Sequence, residues 1–132
     1  MKTFFPKNYF HIPKYFFLDA NNKILGRFSV EISKLLRGKE TSFYTLGINL
    51  GNFVIIINSY YINISGKKPS KKLYYKATNR PGNLKYESYN QLKNRFPLKI
   101  LQKSILGMLP KTTLGRQYFR QLFIYISSPF KI

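Results

Sequence analysis

Four carboxylates (Asp19, Glu31, Glu40 and Glu87), one imidazole (His11) and no cysteine make up the whole acid–base and metal-ligating inventory of this 132-residue chain. Hydrolytic and metal-assisted chemistry requires several such groups set around one reacting atom. The best set available, Asp19 with Glu31 or Glu87, is too sparse for a two-metal nuclease, and no thiolate site can be assembled. No enzymatic activity, no cofactor and no small-molecule substrate is expected.

Positive charge is abundant by contrast. Lys and Arg number 23, giving a formal net charge of +19, and self-repulsion of that size destabilises a compact chain standing alone. Phe, Tyr, Ile, Asn and Lys fill about half the sequence, which points to an A/T-biased genome. Such a bias accounts for the aromatics but gives no reason to remove nearly all the acids, so the charge imbalance implies a polyanionic partner. By counterion release, neutralising roughly 10 phosphates gives a log–log salt slope near −9 on a duplex. A membrane surface would also attract cations, but no segment is a clear amphipathic helix lined with Lys and Arg on one face. Apolar runs such as Phe53 to Ile57 reach only five residues, far short of a membrane span.

The densest cationic stretch runs from Gly66 to Tyr86, where Lys67, Lys68, Lys71, Lys72, Lys76, Arg80 and Lys85 occur without one acid and are interrupted by Pro69, Pro81 and Gly82. We read it as a projecting basic loop or hairpin able to follow a phosphate backbone. Tyr74 and Tyr75 lie inside it; stacking on unpaired bases is open to either, and packing against the sheet is expected of one. A second cluster holds Lys111, Arg116 and Arg120, the two arginines four apart on one helix face, beside a helix N-terminus that can itself attract an anion. The run from Gly107 to Thr113 falls short of a nucleotide-binding P-loop, because Leu109-Pro110 stands where a glycine must precede the lysine. Arg27 and Arg37 sit at the ends of a predicted helix, Arg27 either facing phosphate or pairing with Glu31.

The elements that must hold these residues follow from periodicity. Residues 1–13 lack it and carry Pro6 and Pro13, so they read as an extended arm that resembles neither a signal nor a transit peptide. Tyr15 to Leu18 reads as a buried strand ending at Asp19. Leu25, Phe28, Ile32, Leu35 and Leu36 repeat near 3.6, giving a helix stopped at Gly38. Phe53 to Ile57, apolar at every position, is a strand covered on both faces; strand, helix, strand is the crossover unit of a parallel sheet. Ile62 to Ser65 alternates and reads as a third short strand. Helical spacing returns near Ser88, and Pro97 opens a further helix carrying Leu98, Leu101, Ile105 and Met108 and ended by Gly107 and Pro110. A short helix from Leu114 to Gln121, capped by Thr112 or Thr113, precedes a last buried strand from Leu122 to Ile126. One domain spanning 1–132 is expected.

In chain order, Leu18-Asp19-Ala20, Leu25-Gly26-Arg27, Leu36-Arg37-Gly38-Lys39, Tyr44-Thr45, Asn58, Ser65-Gly66-Lys67-Lys68, Gly107-Met108-Leu109-Pro110-Lys111 and Leu114-Gly115-Arg116 resemble the bacterial-type large-subunit ribosomal protein thirteen family. The resemblance spans nearly the whole chain. It implies a three-layer α/β/α fold on a four-stranded, mostly parallel sheet, and a structural role in which the protein binds large-subunit rRNA during assembly beside neighbouring ribosomal proteins. It also places Arg27, Arg37, Lys39, Lys67, Lys68, Lys111, Arg116 and Arg120 on positions expected to meet rRNA. The sequence departs from the family pattern at Asn49 and Asn52, where acids are usual, and at Ala77-Thr78-Asn79, where His-Thr-Gly is usual. The His-containing tail that commonly follows the last strand is not found before Ile132, so a contact made by that tail is expected to be lost or supplied by a neighbour. The A/T-biased composition and the lack of a presequence suggest a gene within an organelle or a reduced endosymbiont genome, an organelle being favoured, with plastid and mitochondrion both open. The competing reading is a free-standing RNA-binding regulator acting on messenger RNA.

Overall fold

The computed structural model describes Pro6 and residues 12–128; the expected arm at 1–13 therefore lies mostly outside the described residues, as does His11. Three strands form a parallel sheet in the order β1-β2-β5, from Tyr15–Asp19 (β1), Phe53–Ile57 (β2) and Leu122–Ile124 (β5). Tyr15 pairs with Phe53, Ile56 with both Leu18 and Ile124, and each strand turns alternate side chains inward. Between β1 and β2 runs α1 (Leu25–Arg37), whose spacing buries Leu25, Phe28, Ile32, Leu35 and Leu36. Lys34 and Arg37 lie in its last turn, where cations complement the helix dipole. Gly38 closes it at φ 69, its amide bonding to the Leu35 carbonyl while Lys39 bonds to that of Lys34. A Cβ at Gly38 would collide with the Leu50 carbonyl, so this turn admits only glycine.

The expected third parallel strand is smaller than the alternation suggested. Ile62 to Ser65 contributes a single parallel bridge, Ile24 to Asn63, closed by the Leu25 amide on the Asn63 carbonyl and the Asn63 amide on Lys23. A 3-10 turn at Ser59–Tyr61, entered through Asn58 at φ 57, takes the chain out of extended geometry just before it. The last strand likewise stops at Ile124.

The basic stretch from 66 to 86 is more ordered than a loop. It holds a short helix α2 (Lys68–Lys71) and an antiparallel hairpin of β3 (Leu73–Ala77) and β4 (Leu84–Ser88). Ser88 ends β4 and caps α3 (Tyr89–Arg95): its side chain accepts from the Gln91 amide, and the Gln91 side chain accepts from the Ser88 amide. Pro97 opens α4 (Pro97–Met108), which packs against α1, and α5 (Thr113–Arg120) leads into β5. One core cluster unites Val54 and Ile56 of the sheet, the inner face of α1, Ile100, Leu101 and Ile105 of α4, Leu92 of α3 and Tyr118 of α5. Among the described residues no helix is long and apolar enough to cross a membrane.

Ile56 is fully buried at the centre of the parallel sheet. Ile56→Ala is expected to lower the unfolding free energy by about 2–5 kcal/mol in urea melts, through lost transfer energy and a residual cavity. Lys71→Ala, on the surface, should leave the melt within about 0.5 kcal/mol of the parent.

Candidate nucleic-acid interface

The strand register decides which hairpin side chains share a face. Tyr74, Lys76, Lys85 and Glu87 lie on one face, and Leu73, Tyr75, Leu84 and Tyr86 on the other. The first face turns toward α3 and α4. There Tyr74 packs against the core cluster, and its ring meets the ammonium of Lys72 at 5.3 Å and that of Lys103 at 4.9 Å. Burial, with the neighbouring Tyr89 hydroxyl adding, holds the Tyr74 phenol above the ordinary tyrosine range. Tyr74 is thus the tyrosine that packs, and Tyr75 the one left exposed.

Three clefts gather ten of the 23 Lys and Arg. Arg27 of α1 meets Lys68 and Lys72 in a cleft of about 510 Å³ that Ser65 and Ser104 also line. Lys76 and Lys85 share a cleft of about 700 Å³ with Arg95, Lys99 and Lys103. Lys103 also reaches a third, of about 480 Å³, beside Lys111 and Arg116. Arg80 lines a smaller hollow at the hairpin turn. Lys39, Lys67, Lys71 and Arg120 are exposed but line none of these clefts. Arg37 is half-buried and donates from Nη2 to the Tyr44 hydroxyl at 3.1 Å, which braces the segment after α1. The same guanidinium opposes the rise that burial and Tyr44 impose on the Tyr118 phenol, which donates to the Ile48 carbonyl at 3.2 Å.

Sequence reasoning missed Arg95, Lys99 and Lys103. The signal was present: Lys99 and Lys103 are four apart on α4, on the side away from Ile100, Leu101 and Ile105, so the helix has a cationic face as well as an apolar one. Phe96 supports them, with the Lys99 ammonium 3.9 Å and the Arg95 guanidinium 5.3 Å from its ring centroid.

Two of the four acids are engaged within the fold. Asp19 accepts from the Asn21 amide at 2.9 Å and from the Asn58 side chain at 3.0 Å, bracing the end of β1. Glu87 pairs with Arg95 at 3.2 Å, and among the described residues that is the one ion pair, so Arg27 does not pair with Glu31. No group of three His, Cys, Asp or Glu that could hold a metal occurs among the described residues. At α5 the cap is Thr112, whose hydroxyl accepts from the Gly115 amide at 3.3 Å. Gly115 lies so close to the Pro110 carbonyl that a Cβ there would collide with it, which fixes Lys111 and Arg116 on either side of the crossing.

Lys76 stands directly opposite Lys85 across the hairpin. Like charges in that relation oppose pairing. Lys76→Gln is therefore expected to stabilise the isolated protein by about 0.2–1 kcal/mol in thermal melts at low salt, with the gain shrinking as salt is added.

The family model described as Ribosomal protein L13 matches residues 13–131. Among curated proteins, "Large ribosomal subunit protein uL13" of a Picosynechococcus strain is 42% identical over 125 residues, covering 95% of this chain and 83% of its own length. The protein of the same name from Acaryochloris marina is 43% identical over 124 residues, covering 94% of this chain and 82% of its own. "Large ribosomal subunit protein uL13c" of Pyropia yezoensis is 45% identical over 111 residues, covering 84% and 78%. A match to the family model over residues 13–131, with relatives 42–45% identical over 84–95% of this chain and 78–83% of their own length, means that the chain belongs to the ribosomal protein L13 family.

Proposed function

We propose that the chain is a structural constituent of the large ribosomal subunit, held there by large-subunit rRNA and contributing to its assembly, and that it is not an enzyme. The family membership supports this reading and gives no support to a free-standing regulator of messenger RNA. The observation that carries the rRNA contact is the convergence of Arg27, Lys68, Lys72, Lys76, Lys85, Lys99, Lys103, Lys111 and Arg116 on three adjoining clefts of a chain with net charge +19. Arg37, Lys39, Lys67, Lys71, Arg80 and Arg120 extend the contact beyond the clefts. Phosphate contacts of this kind fix position and orientation on RNA and make affinity steeply salt-dependent.

The same reading treats 1–132 as one ribosomal-protein domain with the family's three-layer arrangement and a fourth sheet strand. The Ile24–Asn63 bridge supports the latter as a point where parallel pairing extends past β1 and β2. Neighbouring ribosomal proteins are expected at the remaining surface. The cyanobacterial relatives and the plastid-type uL13c name of the Pyropia protein favour a plastid ribosome over a mitochondrial one.

Sedimentation tests the assignment. The tagged chain should travel with large subunits at physiological salt and leave only on high-salt stripping, and a predominantly free pool would refute it. In RNA titrations across salt, the double change Lys71→Ala and Lys72→Ala should reduce the log–log slope by up to about 2 while lowering stability by no more than about 1 kcal/mol, the loss of the Lys72–Tyr74 contact.

A further inference from the structure

The outer face of the β3–β4 hairpin is apolar and uncovered: Leu73 is 40% exposed, Leu84 56%, Tyr75 59% and Tyr86 67%. Tyr75 and Tyr86 are directly opposed in register, their ring centroids 6.4 Å apart and their planes tilted by 54°. A hairpin needs one buried face to be stable, and this one is supplied by Tyr74, which packs on the core cluster. The Tyr75–Tyr86 face is surplus to that requirement. A contiguous exposed apolar patch marks a contact surface.

The charge around the patch selects its occupant. Residues 66–86 carry seven cations and no acid, and Lys76 and Lys85 leave the same two strands on the face opposite the tyrosines. A protein partner would have to bring a matching acidic surface, whereas unpaired RNA carries both a phosphate chain and bare base faces. A duplex offers the phosphates but keeps its base faces stacked, so an exposed aromatic pair gains nothing from it. We propose that Tyr75 and Tyr86 form a stacking platform for unpaired bases of the RNA whose phosphates the neighbouring lysines neutralise. This rests on the rRNA-binding reading above and narrows it, because it specifies a loop or bulge, not a helix, at the hairpin.

The test uses the full chain with two RNAs of equal length at fixed, modest salt: a stem with a loop of unpaired adenosines containing 2-aminopurine, and a fully paired duplex. Tyr75→Ala and Tyr86→Ala should each weaken binding of the looped RNA roughly tenfold and abolish quenching of the 2-aminopurine, while duplex affinity stays within about twofold because no charge has changed. Tyr75→Phe, which keeps the ring, should bind the loop like the parent. Tyr75→Leu, which keeps apolar area in a strand-compatible side chain, should behave like the alanine variant, and this pair remains decisive if alanine disturbs the hairpin. A leucine variant as tight as the parent, or alanine variants that hold the loop unchanged, would overturn the platform and leave the face to a protein neighbour. A parent protein that binds neither RNA would instead overturn the rRNA-binding reading itself.

Discussion

Repulsion among uncompensated cations is the constraint around which this molecule is arranged. With four acids against 23 Lys and Arg, surface ion pairing cannot relieve it. Asp19 secures the turn at the end of β1 through Asn21 and Asn58, and Glu87 ties the hairpin to α3 through Arg95. The compact state therefore depends on a core that draws from the sheet, α1, α3, α4 and α5 at once, with Ile32, Leu36, Val54, Ile56, Leu101 and Ile105 all sealed from solvent. The cations are kept off that core, on α2, the hairpin and the outer side of α4. This segregation leaves the repulsion to be relieved from outside, by an anion that enters the clefts.

Fold and interface are joined at glycines. Gly38 turns the chain where its backbone meets Leu50, Gly51 lies against the Leu36 carbonyl, and Gly115 lies against Pro110. Each crossing is tight enough that no larger residue fits without moving backbone. Arg37 and Lys39 flank the first, and Lys111 and Arg116 bracket the last. The blocks that read as basic motifs are thus packing motifs whose adjacent cations are carried into position by the fold. A substitution at such a glycine would displace the charge as well as the turn.

Much of this was legible because strong periodicity and strong punctuation agree. The bounds of β1, α1 and β2, and Pro97 at the first turn of α4, follow directly from apolar spacing, Gly38 and proline. The failures have a common physical cause: pairing partners distant in sequence decide what local patterning cannot. Ile62 to Ser65 alternates like a strand, yet only Asn63 finds a partner because the turn at Asn58 to Tyr61 has already displaced the chain. Of the loop or hairpin that the sequence left open for 66–86, cross-strand pairing of 73–77 with 84–88 and the Tyr74 anchor select the hairpin. Nothing in the pair Tyr74-Tyr75 tells which ring is buried; the register with β4 does. Lys99 and Lys103 went unread because α4 was recognised by its apolar stripe alone.

The same reasoning limits what aromatic content can mean. An A/T-biased genome can raise the number of Phe and Tyr, but it cannot choose where they lie relative to charge. The outward face of the parallel sheet is also aromatic, with Tyr15, Phe53 and Phe123 stacked across three strands at 4.9 and 6.5 Å. None of those strands contains a Lys or Arg, whereas both strands of the hairpin do. Parallel sheets are ordinarily covered on both faces, so the apolar sheet surface requires packing by something apolar. The hairpin carries rings on one face and cations on the other, and so matches a partner that presents flat faces and phosphates together. Two aromatic faces on one small molecule thus differ in kind, and the difference lies in the charges beside them, not in the rings.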